Sequence, residues 1–252
     1  MKYMGSKSRI SKYILPIMLD DVEKLGVDTW VEPFVGGANT IKNVPKIMKR
    51  FGYDNNPYLI DMYNHIQKNG FNYVEEISKE LYDECRKAYN TNSWHIDSQE
   101  VDASFIGWVG FMASANGRFF DGGYSGISQT KTGICRNYID ESIRGLKKEF
   151  PDLQSVKFIT DDYANLNFDS VLIYCDPPYK GTKTYNTSKN FDHDKFFNWC
   201  RKQAENNIVY VSEYSAPKDF KCVWEKEVKS SLSANGVIGS SKSSIEKLFR
   251  VN

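Results

Sequence analysis

The sequence contains few residues that could hold a metal ion or form a disulfide. Its three histidines lie far apart, and its five cysteines are scattered and never form CxxC pairs. An odd number of isolated cysteines is typical of reduced thiols. No apolar run reaches the length of about eighteen residues that a membrane span needs, and the basic start (MKYMGSKSRI) lacks the apolar core of a signal peptide. We therefore expect a cytoplasmic protein without a metal centre, a disulfide framework or a membrane span.

Charge of either sign is not in excess, with 33 basic and 32 acidic side chains. The overall charge therefore says nothing for nucleic-acid binding, but its distribution is uneven. The first twelve residues carry only basic charges, and four more lysines gather between residues 180 and 195. These residues are Lys2, Lys7, Arg9, Lys12, Lys180, Lys183, Lys189 and Lys195. Such a basic face can lie along phosphates, although most charge clusters are simply solvated surfaces.

Short runs of β-branched and aromatic residues alternate with helical patterns, which is typical of α/β proteins with a mostly parallel sheet. The run at 170–176 is continuously apolar, as in a strand covered on both faces. A chain of 252 residues fits one large domain, or a core domain with a smaller one. The predicted strands are 29–35, 50–54, 156–160, 170–176 and 207–212, and the predicted helices are 8–24, 57–68, 138–149 and 193–205.

About a hundred residues separate the second and third predicted strands, far more than a βαβ crossover needs. The excess has a mainly helical pattern at 73–110 and a glycine-rich polar part at 115–133. We interpret it as a small domain inserted into the sheet domain. The second part is too glycine-rich for a core, so we expect an exposed hairpin or loop with aromatic and basic tips.

The most specific motif is Asp176-Pro177-Pro178-Tyr179, which follows the continuous apolar strand directly. In open α/β sheets, ligands bind beyond the carboxyl ends of the strands, where this motif lies. Two consecutive prolines stiffen the turn and leave their carbonyl groups without a competing amide donor. The alternative is a tight Pro-Pro turn with a surface tyrosine.

This motif suits chemistry on an amino group attached to a planar ring. The N6 atom of adenine is a poor nucleophile because its lone pair is delocalised into the purine. The Asp176 carboxylate and the Pro177 carbonyl can both accept hydrogen bonds from this amino group, which localises the lone pair. Tyr179 offers a ring on which an extruded base can stack. The predicted catalytic residues are Asp176, Pro177, Pro178 and Tyr179.

A second motif, 32–38 (EPFVGGA), leads a strand directly into glycines, where a backbone can approach a ligand closely. It is not GxGxxG, which argues against a dinucleotide site. Asp54 ends the next strand, where an acid can hold ribose hydroxyls, although a plain strand-to-turn connection is the alternative. A third segment, 2–7 (KYMGSK), is on its own only a basic and flexible start.

In this order, the three motifs resemble those of the Dam-like, D12 class of DNA N6-adenine methyltransferases. That family has a KWxGxK-type motif, then EPFxGxG, an acidic strand end, an inserted recognition domain and DPPY. Here Tyr3 takes the aromatic position, and Ala38 replaces the last glycine of the second motif. The resemblance implies an α/β, Rossmann-like class I SAM-dependent methyltransferase fold with an inserted, mainly helical target-recognition domain. The SAM-binding catalytic domain is then 1–56 with 151–252, and the DNA-binding insertion is 57–150.

The resemblance also implies S-adenosyl-L-methionine as cofactor and double-stranded DNA as partner, without a metal ion and without membrane association. The segments 230–236 and 243–249 resemble the closing region of the family. Asp161 competes with its neighbour Asp162 for a role at the adenine of the cofactor. The cofactor-binding residues that the resemblance implies are Tyr3, Lys7, Glu32, Phe34, Gly36, Asp54, Asp162, Tyr163 and Asp176.

The insertion reads DNA in this family, and segment 116–124 resembles the tip of its recognition hairpin. Arg118 suits guanine edges or phosphates, and Asn116 suits adenine. An aromatic ring such as Phe119 or Tyr124 suits the gap that a flipped base leaves. The alternative is a glycine-rich surface loop with incidental aromatics.

Two groups of alternatives remain open. A similar string also serves methyltransferases that act on cytosine N4, on RNA or on glutamine amides, although the motif order and the large insertion favour adenine in DNA. A non-catalytic DNA-binding protein of the same fold is the other alternative, and the intact Asp176 and Tyr179 argue against it.

Overall fold

The computed structural model describes residues 1–93, 95–96, 99–130, 132–180, 191–229 and 243–251. The helices are α1 (Ser11–Leu25), α2 (Pro57–Asn69), α3 (Lys79–Thr91), α4 (Ala103–Ala113), α5 (Tyr138–Glu149) and α6 (His193–Ala204). The strands are β1 (Thr29–Glu32), β2 (Lys49–Asp54), β3 (His95–Ile96), β4 (Gln99–Glu100), β5 (Ile127–Gln129), β6 (Cys135–Asn137), β7 (Val156–Thr160), β8 (Leu172–Cys175), β9 (Ile208–Glu213), β10 (Phe220–Lys229) and β11 (Ser243–Val251).

Seven strands form one sheet in the order β10-β11-β9-β8-β1-β2-β7. The five strands that the sequence predicts pair in parallel, and β10 and β11 complete the sheet in antiparallel orientation. The chain order reverses between β1 and β8, which is where open α/β sheets bind their ligands. This arrangement confirms the predicted Rossmann-like fold class of the sheet.

The sheet is covered on both faces, as the continuous apolar strand predicts. All four residues of β8 are buried, and alternate residues enter different hydrophobic clusters. Leu172 and Tyr174 belong to the larger cluster, together with residues of α1 and α2. Ile173 and Cys175 belong to the smaller cluster, together with residues of α6.

Local capping explains where several helices begin. Asn56 accepts a hydrogen bond from the Tyr58 amide (3.1 Å), and Pro57 occupies the first turn of α2. Asp192 caps α6 in the same way, because its Oδ1 accepts from the Lys195 amide at 2.9 Å. The two capping residues, Asn56 and Asp192, both line the cavity described below, so each of these helices begins beside it.

The residues between β2 and β7 pack closely onto the sheet domain. Helix α4 packs against α2, and a side chain at Gly107 would lie only 2.1 Å from the Tyr58 carbonyl oxygen. Residues of α3, α4 and the sheet share the larger hydrophobic cluster. The division into a catalytic domain and a separate unit at 57–150 therefore stays a prediction. Among the described residues, no helix combines the length and the apolar character that crossing a membrane requires.

The expectation that the glycine-rich part lies outside the core is wrong for its first half. Phe119 and Phe120 are buried, with 8% and 3% of their surfaces exposed. The exposed hairpin lies further along the chain, where β5 pairs with β6, and every described residue of these two strands is exposed. Glycines misled the prediction because one of them, Gly117, permits close packing: a side chain there would lie 2.3 Å from the Lys2 carbonyl oxygen.

Candidate active site

The carboxyl ends of the parallel strands open into one cavity of about 1220 Å³. Segments from the N-terminus, from the ends of the five parallel strands and from the residues between β2 and β7 meet there. Of the predicted site residues, Tyr124 alone does not line this cavity. The residues that do are Tyr3, Lys7, Glu32, Phe34, Gly36, Asp54, Asn116, Arg118, Phe119, Asp162, Tyr163, Asp176, Pro177, Pro178 and Tyr179.

Asp176 lies directly after β8, at the reversal of strand order. Its Oδ1 is buried and lies 2.9 Å from the Lys7 ammonium, yet no described group donates a hydrogen bond to it with suitable geometry. Burial raises the pKa of Asp176 above its ordinary value, and Lys7 opposes this effect. The cavity thus contains a carboxylate oxygen with unused capacity to accept hydrogen bonds.

Lys7 is buried beside this carboxylate, with 7% of its surface exposed. Its ammonium donates to the Gly5 carbonyl oxygen (3.1 Å) and lies 4.4 Å from the centre of the Tyr179 ring. Burial lowers the pKa of Lys7, but the charges of Asp176 and Glu246 outweigh burial and raise it above its ordinary value. Lys7 is therefore a permanent positive charge in the wall of the cavity.

Tyr179, the last residue of the motif, is held at both ends. Its hydroxyl donates to Oε2 of Glu246 at 3.0 Å, and its ring meets the ring of Tyr214 edge-on with centres 4.7 Å apart. The backbone amide of Lys180 donates to Glu213 at 3.1 Å. These contacts fix the conformation of the motif on the side away from β8.

The glycine turn after β1 binds the end of β2. The amide of Gly36 donates to Oδ2 of Asp54 at 3.1 Å, and the Tyr63 hydroxyl donates to the Gly36 carbonyl at 3.1 Å. Gly36 has a φ of 45°, which explains the glycine, and Ala38 keeps a left-handed φ of 54° although it has a side chain. Ala38 therefore has a left-handed backbone at the position where the family pattern has glycine.

Asp54 retains acceptor capacity on both of its oxygens. Oδ2 accepts from Gly36 and Oδ1 from the Asn56 amide (3.0 Å), which leaves one lone pair on each oxygen. Burial raises the pKa of Asp54 to about 6, against the effect of these two hydrogen bonds. Glu32, at the end of β1, accepts from the Trp30 indole (3.0 Å), and burial raises its pKa well above the ordinary value.

Aromatic rings form one wall of the cavity. The ring of Phe34 lies 5.3 Å from that of Tyr163 and 5.8 Å from that of Phe191. Both Asp161 and Asp162 accept hydrogen bonds within their own loop, from the amides of Asp162 (2.8 Å) and Ala164 (2.9 Å). Both aspartates line the cavity.

The four predicted DNA-binding residues differ in their surroundings. Asn116 is exposed with a φ of 58°, and the half-buried Arg118 has an Nε without a hydrogen-bond partner among the described residues. Phe119 stacks on Phe111 with ring centres 4.6 Å apart, and the Tyr124 hydroxyl donates to the Ile77 carbonyl at 2.7 Å. In this arrangement neither aromatic ring projects as a tip, because packing inside the protein holds both.

Sequence reasoning missed four residues that line or support the cavity. Glu213 ends β9 and Tyr214 follows it, and their position at the end of an apolar strand was a usable signal. Glu246 lies on β11, whose alternating charged residues conceal its role as a strand of the sheet. Phe191 precedes the cap of α6, without a recognisable pattern. Segment 230–236 and the lysines 183 and 189 lie outside the described residues.

Comparison with known proteins assigns the family. Residues 3–217 match the model of the D12 class N6 adenine-specific DNA methyltransferases. The chain belongs to this class. As a D12 methyltransferase it transfers a methyl group from S-adenosylmethionine to adenine N6 in DNA, which confirms the prediction over cytosine, RNA, amide and non-catalytic alternatives. A search among curated protein sequences gave no match.

Several solved structures resemble this methyltransferase with low scores. The protein yhhF from Escherichia coli, provisionally assigned as a methyltransferase, is 8% identical, with 95% of this chain and 85% of that chain covered and a TM-score of 0.34. HI0767 from Haemophilus influenzae, provisionally assigned as a methylase, is 9% identical, with 95% and 97% covered and a TM-score of 0.33. SMU.472, provisionally assigned as a methyltransferase and solved with SAH, is 11% identical, with 81% and 48% covered and a TM-score of 0.29.

The residues of the cavity fit S-adenosylmethionine. Asp54 has free lone pairs for hydroxyl groups, the aromatic wall suits a purine ring, and the unused Asp176 oxygen suits an amino or ammonium group. The volume exceeds the roughly 300–1,000 Å³ of an ordinary ligand pocket, so a second planar guest also has room. No cluster of His, Cys, Asp or Glu side chains suited to a metal ion occurs in the described part of the chain.

Proposed function

We propose that this D12 methyltransferase draws the target adenine out of double-stranded DNA into the cavity and methylates it beside Asp176. Taking the base out of the stack is needed because a duplex hides the amino group from an enclosed site. The large cavity then holds two planar groups, with one against the aromatic wall and the other beside the DPPY motif.

The buried Oδ1 of Asp176 carries this proposal, because it lies beside the Lys7 ammonium (2.9 Å) and accepts no hydrogen bond of suitable geometry from the described residues. In our proposal the amino group of adenine donates to this carboxylate and to the Pro177 carbonyl. Two acceptors on one amino group draw its lone pair out of the purine ring and make the nitrogen nucleophilic. As the new C–N bond forms, the carbon–sulfur bond to the methyl group would break with its electron pair on sulfur. The nitrogen then loses one proton, for which the Asp176 carboxylate is the proposed acceptor.

The cofactor supplies an electrophilic methyl group on a positively charged sulfur atom. Asp54 is the proposed acceptor for its ribose hydroxyls, and Phe34 with Tyr163 forms the proposed wall for its purine. The remaining predicted residues, Tyr3, Glu32, Gly36 and Asp162, shape or support this half of the cavity. Much of the rate enhancement is then expected from orientation of the reacting groups.

Tyr179 and Lys7 are the proposed support for the target base. The Tyr179 ring is fixed by its hydroxyl and by Tyr214, so it can offer a ready surface for stacking. Lys7 neutralises part of the negative charge around Asp176, which keeps this carboxylate ionised in spite of burial. Asn116 and Arg118 line the same cavity and are the proposed contacts to DNA from the insertion.

The test replaces Asp176 and measures methyl transfer to DNA from labelled cofactor, with nucleoside analysis of the product. Removing one preorganised hydrogen-bonding group from a transition state typically costs about 10²–10³-fold in rate, so we expect at least this loss in Asp176→Ala and in Asp176→Asn. The matched control is Asp169→Asn, an exposed aspartate on the loop before β8, which should retain full activity. A folded Asp176→Ala enzyme with normal activity contradicts the proposal.

A further inference from the structure

Glu246 reaches the catalytic motif from the antiparallel edge of the sheet, outside the residues that match the family model. It lies on β11, opposite Lys226 of β10. Ser244 and Glu246 are two residues apart, hence on one face of the strand, and both line the cavity, whereas Ile245 between them is 50% exposed. The strand thus directs one carboxylate toward the methylation site.

This carboxylate contacts two residues of the site at once. Its Oε2 accepts a hydrogen bond from the Tyr179 hydroxyl at 3.0 Å and lies 4.0 Å from the Lys7 ammonium. The same ammonium lies 2.9 Å from Oδ1 of Asp176. Lys7 therefore stands between two carboxylates, and the Tyr179 ring lies beside it, with its centre 4.4 Å from the ammonium.

The second carboxylate changes what Asp176 can do. Lys7 donates a hydrogen bond to the Gly5 carbonyl oxygen and forms an ion pair with Oδ1 of Asp176 at 2.9 Å. A single carboxylate beside a buried ammonium would attract it fully, because Coulomb attraction is strong at low dielectric. Glu246 offers a competing negative charge on the other side. Beside this ion pair, Oδ1 of Asp176 has a second lone pair that can accept a hydrogen bond from the amino group of the target.

The hydrogen bond to Glu246 also fixes the ring of Tyr179. An aromatic side chain has two rotatable bonds, and holding its hydroxyl at the far end restricts both. Tyr214 supports the ring from its edge, with the ring centres 4.7 Å apart. Precise support of this kind matters because small displacements of reacting groups are costly in rate.

We propose that Glu246 is a positioning residue for methyl transfer: it holds the Tyr179 ring by its hydroxyl and shares the positive charge of Lys7 with Asp176. It contacts neither reacting atom and acts through these two neighbours. The inference rests on the proposed roles of Asp176 and Tyr179.

The experiment compares Glu246→Gln, Glu246→Ala, Tyr179→Phe and the double variant Glu246→Ala/Tyr179→Phe. Single-turnover methylation rates at saturating DNA and cofactor measure positioning, and equilibrium binding measures the cofactor Kd. Glu246→Ala is expected to lower the rate by about ten- to a hundredfold, while the Kd changes by less than about threefold. Glu246→Gln keeps an acceptor and loses the charge, so its rate should fall between those of Glu246→Ala and the unmodified enzyme.

The double variant distinguishes positioning from an unrelated loss. Glu246→Ala removes the acceptor of this hydrogen bond, and Tyr179→Phe removes its donor. Since both substitutions break the same bond, the double variant should be at most about twofold slower than Glu246→Ala. Glu227→Gln is the matched control, an exposed glutamate on β10 of the same hairpin, and should have the unmodified rate. Tyr179→Phe tests the same hydrogen bond if Glu246→Ala does not fold.

Two results overturn the inference: a Glu246→Ala rate within twofold of the unmodified enzyme, or rate losses that multiply in the double variant. If Asp176→Ala is inactive while Glu246→Ala is normal, only the positioning role fails. If Asp176→Ala is active, the proposed function itself fails. The two failures are therefore distinguishable.

Discussion

The wall of the cavity is built in two different ways. On the side of the sheet, polar groups at strand ends bind each other and face the cavity, as Asp54 and Gly36 do at 3.1 Å. On the side of the insertion, aromatic rings pack on each other inside the protein, as Phe111 and Phe119 do at 4.6 Å. The positions of the strand ends fix where the polar groups point, whereas the aromatic rings are held in place by packing on each other.

This difference separates the residues that support the fold from those that DNA can reach. Phe119 lines the cavity at one edge, but its ring is 8% exposed within a cluster of aromatic residues. The β5–β6 hairpin has the opposite character, because Ile127 and Ile134 are 74% and 62% exposed. The insertion thus contains a buried aromatic part and an exposed apolar hairpin, which should respond differently to substitution.

The largest effect is expected for Phe119→Ala on stability. Removing a buried phenylalanine ring lowers the free energy of unfolding by about 3–5 kcal/mol, because the surrounding residues fill the space that the ring leaves only partly. Ile134→Ala, on the exposed hairpin, should change stability by no more than about 0.5 kcal/mol. Urea denaturation followed by tryptophan fluorescence measures both. If Phe119→Ala is as stable as the unmodified protein and only DNA binding suffers, the ring is a DNA contact after all.

The second prediction concerns DNA binding by the hairpin. Exposed apolar side chains on a narrow hairpin can insert between base steps, so Ile127→Ser with Ile134→Ser should weaken binding of a DNA duplex about tenfold. The unfolding free energy should stay the same, because both side chains are already in water. Fluorescence anisotropy over a range of salt concentrations measures the Kd. An unchanged Kd at every salt concentration would leave Asn116 and Arg118 as the contacts to test next.

The same contrast explains how much the sequence predicted. The five parallel strands were predicted correctly, and the DPPY motif and Asp54 lie at strand ends beside the cavity, because apolar runs and strand ends follow from local patterns. Gly117 misled the prediction, since it permits close packing to the Lys2 carbonyl group rather than exposure. Glu246 could not be predicted, because its role depends on β11 pairing beside β9 at the far end of the chain.

A third prediction uses the titration of Asp54, whose pKa burial raises to about 6. Because this pKa is higher in the folded protein than in the unfolded chain, protonation of Asp54 favours the folded state at pH values below the ordinary pKa. This contribution to the free energy of unfolding is lost as the pH rises through about 6. Cofactor binding should change in the opposite direction, because an ionised carboxylate is the stronger acceptor for hydroxyls. We expect the Kd for the cofactor to rise about three- to tenfold between pH 7.5 and 5.

Asp54→Asn is the control for this titration, since its side chain has a similar shape and does not ionise. This variant should bind the cofactor weakly at both pH values, and its Kd should no longer change near pH 6. Calorimetric titration at constant ionic strength provides the Kd. A step of the same size in Asp54→Asn assigns the titration to another group, such as Glu213, whose pKa burial raises to about 7.

The smallest effect is expected at Ala38, where the sheet side of the cavity contains strain. A left-handed alanine costs about 1–2 kcal/mol relative to a right-handed one, which Ala38→Gly relieves. Glycine loses the buried methyl group, worth about 0.8 kcal/mol, and about 0.5–1 kcal/mol of backbone entropy. These contributions nearly cancel, so stability should change by less than about 1 kcal/mol.

Ala38→Val adds bulk at a fully buried position without relieving the strain, so it should lower the melting temperature clearly in thermal denaturation. Equal stability of both variants would show that the turn relaxes freely and that its conformation is not imposed by the strands around it.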